Sequence, residues 1–214
     1  MIGAMVRSYG ATKYLHGVLK HLCEFSPITR VLVVNARFGG VSDCPDDTAR
    51  IASKHYVEIW RPDGPINRHE LCNLAMEKLS NCSHIFYNDA DEFISPEDRT
   101  ALLEEMLKTK ADVGMLSVVD MLSPDKSMPI RTHKPQVLIK NGVKAFMERC
   151  FDYGHGLILK DRFVYNFGLM LDGDQEKWKS ENLWYDNKAE YAQMRASERI
   201  DAKLPDSLMP YLCH

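Results

Sequence analysis

The residues best suited to chemistry lie in Ile85-Phe86-Tyr87-Asn88-Asp89-Ala90-Asp91-Glu92-Phe93. An apolar run leads straight into two carboxylates two positions apart. Alternate side chains of an extended chain point the same way, so Asp89 and Asp91 can converge on one point. The small Ala90 between them leaves room for a ligand to approach. Two hard carboxylates at a strand end suit Mg2+ or Mn2+, with water and phosphate completing the shell. A diphosphate leaving group needs that charge neutralised. Taken alone, D-x-D also fits a solvated turn leading to a helix cap. The strand before it and the helix after it favour the metal. A second pair, Asp172-Gly173-Asp174, follows the apolar run Phe167 to Leu171. A helix cap explains it well, and a place on the acceptor side of a site is the alternative. His155 stands between Gly154 and Gly156, which allow close backbone approach. It can bind metal, phosphate or acceptor, or the three residues can form a tight turn.

The elements that must position these groups follow a strand–helix alternation. Ile2 to Val6 reads as a strand, and Tyr14 to Cys23 as a helix with Leu15, Val18, Leu19 and Leu22 on one face. Arg30 to Asn35 is a β-branched run typical of a strand buried on both sides. Tyr56 to Trp60 alternates as a third strand, and His84 to Asn88 is a fourth. Asn67 with Glu70 forms a capping-box pattern ahead of Leu71, Leu74, Ala75 and Leu79. Ser95-Pro96-Glu97-Asp98 opens another helix, with Leu102, Leu103, Met106 and Leu107 as its expected buried face. Val113 to Met121 and Gln136 to Lys140 supply two more strands. Gly142 to Gly168 reads as irregular structure with short strands, and Asp174 to Ile200 as a polar, helix-prone segment. The expected fold class is α/β, with a mixed, mostly parallel central sheet flanked by helices. In such a sheet ligands bind at the carboxyl ends of the strands, where the Asp89–Asp91 cluster falls.

Composition narrows the function classes. The 214 residues carry 27 Lys and Arg against 30 Asp and Glu, a formal net charge of −3. That balance argues against a general nucleic-acid binder. The hydrophobic share of 45% excludes a disordered chain. No apolar stretch approaches the roughly 20 residues of a membrane span, and no basic start precedes the first apolar run. The six cysteines are scattered without a C-x-x-C pair, which points to buried free thiols and an intracellular, cytoplasmic protein. The length suits a single domain over residues 1–214, which may also be one domain of a longer polypeptide.

In its first half the chain resembles the nucleotide-sugar-dependent glycosyltransferases of the GT-A fold, in the broad family 2-like group. The matching pieces occur in order. They are Met5-Val6-Arg7-Ser8-Tyr9-Gly10 after the first strand, Asn35 after the second, Asp63-Gly64 after the third, Asn73 in the next helix, and Asn88-Asp89-Ala90-Asp91-Glu92-Phe93. Lys134-Pro135 is a weaker match. More narrowly, the chain is similar to glycosyltransferase domains of large algal DNA viruses, the chlorella viruses, that build capsid glycans; a viral origin would put the protein in the host cytoplasm. Asn35-Ala36-Arg37, Cys72-Asn73 and Asn166 depart from the family pattern, which often has an Asp, an Arg-Asn pair and a His at these places.

The resemblance implies a UDP-sugar donor, Mn2+ (or Mg2+), and a glycan or glycoprotein acceptor. Residues 1–110 would bind the nucleotide sugar and residues 111–214 the acceptor. Donor-binding candidates are Arg7, Ser8, Tyr9, Asn35, Asp63, Arg68, Asp89 and Ala90. Metal candidates are Asp89, Asp91 and His155. Asp152, Asp172 and Asp174 are the catalytic candidates, as carboxylates able to deprotonate an acceptor hydroxyl. The viral likeness leans toward retention of configuration over inversion. Two other functions compete. A sugar-phosphate nucleotidyltransferase needs a Gly-rich basic loop after the first strand, and Arg7 to Lys13 has a single Gly. A non-catalytic carbohydrate-binding domain of the same origin is the other, and the intact Asp89/Asp91 pair argues against it.

Overall fold

The structure, a computed structural model, describes residues 1–8, 13–36, 47–63, 66–123, 125–127, 135–147, 150–167 and 200–212. Tyr9, Asp172, Asp174 and most of the polar segment 174–200 lie outside the described residues, as does the side chain of Arg68.

The first half alternates as its apolar periodicity demands. It runs β1 (Ile2–Arg7), α1 (Leu15–Glu24), β2 (Ile28–Val34), α2 (Thr48–Ala52), β3 (Glu58–Trp60), α3 (Arg68–Lys78), β4 (His84–Asp89), β5 (Glu92–Ile94) and α4 (Pro96–Thr109). The second half is mostly strand: β6 (Val113–Ser123), β7 (Lys126–Ser127), β8 (Gln136–Lys140), β9 (Ala145–Met147), β10 (Cys150–Phe151), β11 (Gly156–Asn166) and β12 (Ile200–Asp201). A short helix, α5 (Met209–Leu212), follows. The main sheet has the order β12-β7-β6-β8-β4-β1-β2-β3, with β11 joining β6 to β5. β4, β1, β2 and β3 are parallel; β8 runs antiparallel to both β4 and β6, and β5 antiparallel to β11.

Each central strand feeds two cores. Ala4, Val6, Val31, Val33 and Phe86 face α1 and α4, where Leu15, Val18, Leu19, Leu22, Leu102 and Met106 meet them. Met5, Leu32, Val34, Ile85 and Tyr87 face α3, against Leu71, Cys72, Ala75 and Leu79. The period of two therefore continues to the strand ends: Asn88 belongs to the α4 side and Asp89 to the α3 side.

Both expected caps form. The Asn67 side chain accepts the Glu70 amide at 2.9 Å, and Ser95 Oγ accepts the Asp98 amide at 3.0 Å. Three expectations fail for identifiable reasons. Tyr56 does not open β3; it ends a 3-10 turn at φ 54 and is 98% exposed. Leu107 sits at the outward edge of its helix and is exposed. The stretch read as irregular contains β11, an 11-residue strand of the main sheet. Its alternation is broken by Lys160-Asp161-Arg162, a register shift against β6 that Ser117 braces by donating to the Lys160 carbonyl at 2.8 Å. The C-terminal segment docks on α1, where a Cβ at Gly17 would lie 1.9 Å from the Tyr211 carbonyl oxygen.

Candidate active site

The carboxyl ends of β3, β2, β1 and β4 line up as Trp60, Val34, Arg7 and Asp89. Here the polar groups gather. Asp89 receives a two-pronged ion pair from Arg7, Nε to Oδ1 and Nη2 to Oδ2, each at 2.9 Å. The two side chains are only 15% and 19% exposed, so this pair is stronger than a surface pair. The Arg7 guanidinium also lies 5.9 Å from the centre of the Tyr87 ring.

From Asp89 the chain turns back on itself into β5. The Ala90 amide donates to the Arg7 carbonyl at 3.0 Å, and the Phe167 amide donates to the Asp91 carbonyl at 2.8 Å. The Glu92 carboxylate accepts the Asp89 amide at 3.1 Å, and the Asn88 side-chain amide donates to the Glu92 carbonyl at 3.1 Å. Asp91 is 8% and Glu92 3% exposed. Beyond them, Glu92, Asn166 and Asp120 occupy one rung across β5, β11 and β6, and Asp120 is 1% exposed. The strand ends thus carry several acidic residues in a largely dry setting.

No protein-family model matches the chain, and no curated protein matches it in sequence. Solved structures do match. S. aureus TarS aligns with a TM-score of 0.58 at 12% identity, over 90% of this chain and 42% of that one. TarS 1–349 gives 0.55 at 14% identity, over 90% and 71%. TarS 1–349 in complex with UDP-GlcNAc gives 0.54 at 12% identity, over 91% and 70%. The chain has the GT-A fold. At these identities the likeness is one of fold, and the chain spans less than half the length of the longer TarS chain.

Within the GT-A sheet the structure sorts the expected site residues. Arg7 and Asp89 pair at the strand ends, and Asp91 follows two residues on, in the turn. Asp63 lies exposed in the loop after β3. Ser8 and Asn35 reach the same edge but face inward. Ser8 Oγ bonds Thr48 Oγ1 at 2.8 Å, and Asn35 donates to the Ser8 carbonyl at 3.2 Å. Asn35 Oδ1 in turn accepts from Arg61 Nε at 2.6 Å. Both are at most 2% exposed, so their side chains are framework that seats Arg61. Ala90 is also 2% exposed, and its side chain belongs to the core on the α1 and α4 side of the sheet.

His155 is placed away from the carboxylates. Its carbonyl accepts the Asp112 amide at 2.8 Å, just ahead of Val113, which pairs through Ile139 with Ile85. That rung is the amino end of the sheet, four residues before Asp89 on β4, or about 13 Å along the strand. The GT-A sheet therefore separates His155 from the metal candidates, and Gly154-His155 is a bend that leads into β11 at Gly156. Asp152 is exposed, with its amide bonded to the Lys144 carbonyl at 2.8 Å, at the head of the segment that descends to this amino edge.

Among the described residues no three or more His, Cys, Asp and Glu side chains are arranged to hold a metal. Mg2+ and Mn2+ take one or two carboxylates and complete their shell with phosphate and water. Asp91 and Asp89, oxygen donors of the hard kind, fit that role.

Sequence reasoning missed Glu92 as a clamp, and it missed Asp120. The signal for Asp120 was present, as a lone carboxylate inside the apolar run Val113-Gly114-Met115-Leu116-Ser117-Val118-Val119-Asp120. No helix of the described residues is long and apolar enough to cross a membrane.

Proposed function

We propose that the protein is a metal-dependent glycosyltransferase that moves a sugar from a UDP-sugar to a glycan or glycoprotein acceptor. The observation that carries this reading is the Asp89–Ala90–Asp91 turn, held at the carboxyl end of a central GT-A strand with its carboxylates half-dried and with the Ala90 amide and the Asp91 carbonyl hydrogen-bonded. TarS, solved with UDP-GlcNAc and with UDP, supports a uridine diphosphate donor.

Asp91, with Asp89 beside it, would hold Mn2+ or Mg2+ against the donor diphosphate. The metal would supply charge neutralisation of the departing diphosphate. The chain's own groups do the rest. Arg7 fixes the Asp89 carboxylate in one orientation, so no reorganisation is needed when the donor arrives. Asp63 and Tyr9 are proposed to contact the nucleoside, and Arg68 the diphosphate. The acceptor hydroxyl would lose its proton to Asp172 or Asp174. Phe167 is hydrogen-bonded to the Asp91 carbonyl, and five residues span at most about 17 Å, so the segment bearing Asp172 starts within reach of the site. The viral likeness supports a glycan acceptor and retention of configuration. Cys23 and Cys82 are free thiols, which supports a reducing compartment, the cytoplasm. Cys23 is exposed, against the expectation that the thiols are buried.

Calorimetric titration of UDP and UDP-sugars with Mn2+ and with chelator tests the reading. Binding should require the metal, and Asp91→Asn should weaken it by about 100-fold, the size expected for a lost charged contact in a dry site. Its melting temperature should stay level or rise, because a buried like charge is removed. Equal UDP affinity with and without chelator would overturn the reading.

A further inference from the structure

Arg99 is the bulkiest fully buried side chain among the described residues, at 0% exposure. It projects from α4 toward the α4 side of β4, behind the carboxylates. Among the described residues every hydrogen bond it donates goes to a neutral oxygen: Nε donates to the Ile94 carbonyl at 3.2 Å, and Nη2 donates to Asn88 Oδ1 at 3.3 Å. Its guanidinium carbon stands 5.2 Å from the centre of the Phe86 ring. Nη1 is buried with no hydrogen-bond partner among the described residues. Burial pushes its pKa down to about 9, which still leaves the group charged at neutral pH. A buried guanidinium with no bonded carboxylate among the described residues is costly, and a core of this kind would be filled more cheaply by Leu or Met.

The acceptors explain the position. Asn88 and Ile94 stand at the two ends of the acidic turn. Asn88, gripped by Arg99, passes its own amide to the Glu92 carbonyl at 3.1 Å. One planar fork therefore holds the residue before the turn and the far end of β5, and through Asn88 it reaches the return point at Glu92. We infer that Arg99 is a positioning residue for the acidic turn: through Asn88 it holds the Asp89–Glu92 backbone in the shape that presents Asp89 and Asp91 to a metal-bound diphosphate. The ligand half of this inference rests on the proposed function; the shape half does not.

The test uses the full chain as wild type, Arg99→Lys, Asn88→Ala and the double variant, at a temperature well below the lowest melting point. Amide hydrogen exchange reads the turn without any ligand. In Arg99→Lys and Asn88→Ala the Ala90 and Phe167 amides should exchange about tenfold faster or more, while Ser8 and Asn35, on the same edge but outside the fork, keep their rates. Calorimetry reads the ligand. Each single variant should weaken UDP binding in the presence of Mn2+ by about tenfold, and the double variant by little more, because the two residues act through one path. A merely structural Arg99 predicts a lower melting temperature with unchanged UDP affinity and uniform exchange, and that result overturns the inference; so do additive losses in the double variant. If Arg99→Lys does not fold, Asn88→Ala decides by the same two readouts. If the wild type binds no UDP, the proposed function falls with the ligand half, and the exchange rates still decide whether Arg99 holds the turn.

Discussion

At the amino edge of the sheet, Asp112 has its carboxylate ringed by donors. Its Oδ2 accepts the Gly154 and His155 amides at 3.2 and 3.1 Å, and its Oδ1 accepts from Lys140 Nζ at 3.2 Å. The His155 amide first, and then Lys140, hold this carboxyl below its ordinary range. At the carboxyl edge, Asp91, Glu92 and Asp120 are crowded and buried, and the turn that carries the first two is fixed mainly through its backbone and from behind by Arg99. The contrast separates two uses of acid. A carboxylate wrapped in amide donors is a staple whose charge is already answered. Carboxylates carried on a turn that is fixed through its backbone are the ones the proposed function gives to a cation. Net charge alone, at −3, shows neither use.

Acid should break the comparison most strongly, from the carboxyl-edge side. His21 on α1 packs against Phe93 of β5 and Tyr211 of α5, with ring centres 6.3 and 4.6 Å apart. Neither ring nitrogen has a hydrogen-bond partner among the described residues. Burial first, and then the charge of Arg99, lower its pKa from 6.5 to about 3. The unfolded chain therefore binds a proton that the folded one refuses between these values. Stability is complete above pH 6.5 and falls as pH drops toward 3, with a slope approaching about 1.4 kcal/mol per pH unit. Urea unfolding at pH 4 to 8 measures it. His21→Leu should flatten the slope; an unchanged slope would assign acid sensitivity elsewhere.

A smaller effect tests whether the carboxyl edge is built for a cation. Arg7→Met leaves Asp89 without its fork in a site that is mostly shielded, and should cost about 2 kcal/mol. Added Mn2+ should recover part of that loss, more than it raises the melting temperature of wild type, because a bound cation now answers the charge. Arg7→Lys, with a point charge in place of a fork, should fall between. Identical Mn2+ shifts in Arg7→Met and wild type would show that Asp89 does not face the metal.

Much of this was legible where the signal was local. The caps at Asn67 and Ser95, the strands around Val31 and Phe86, and the Asp89–Asp91 spacing are each written within a few residues. The rest depends on partners far along the chain. Arg7 and Asp89 are 82 positions apart, and only the parallel β1–β4 register makes them a pair. Asn35 was legible as a strand end, but not its burial under Arg61. β11 was hidden because a charged bulge interrupts its alternation, and that bulge is held by Asp98, which accepts from Arg162 at 3.1 Å and from the Phe163 amide at 3.1 Å. His155 misled for a related reason. Flanking glycines signal a backbone requirement, and here Gly156 leaves no room for a Cβ beside Tyr153 and Met115, while the bend at Gly154 brings two amides to Asp112.

The smallest effect comes from that amino-edge staple. Asp112→Asn keeps the shape of the side chain but removes the charge that Lys140 and the two amides answer. Its lowered pKa means that the native contribution is present at neutral pH, holds above the ordinary carboxyl value of 3.8, and is lost only as pH falls through the lower folded value. Since the group is partly open to solvent, the expected change is a drop of only a few degrees in melting temperature, roughly what a weak surface pair is worth. UDP affinity in the presence of Mn2+ should not move at all. If it did, the two edges would be coupled through β6, whose amino end begins beside Asp112 and whose far end carries Asp120, and the amino edge would have to be counted as part of the site.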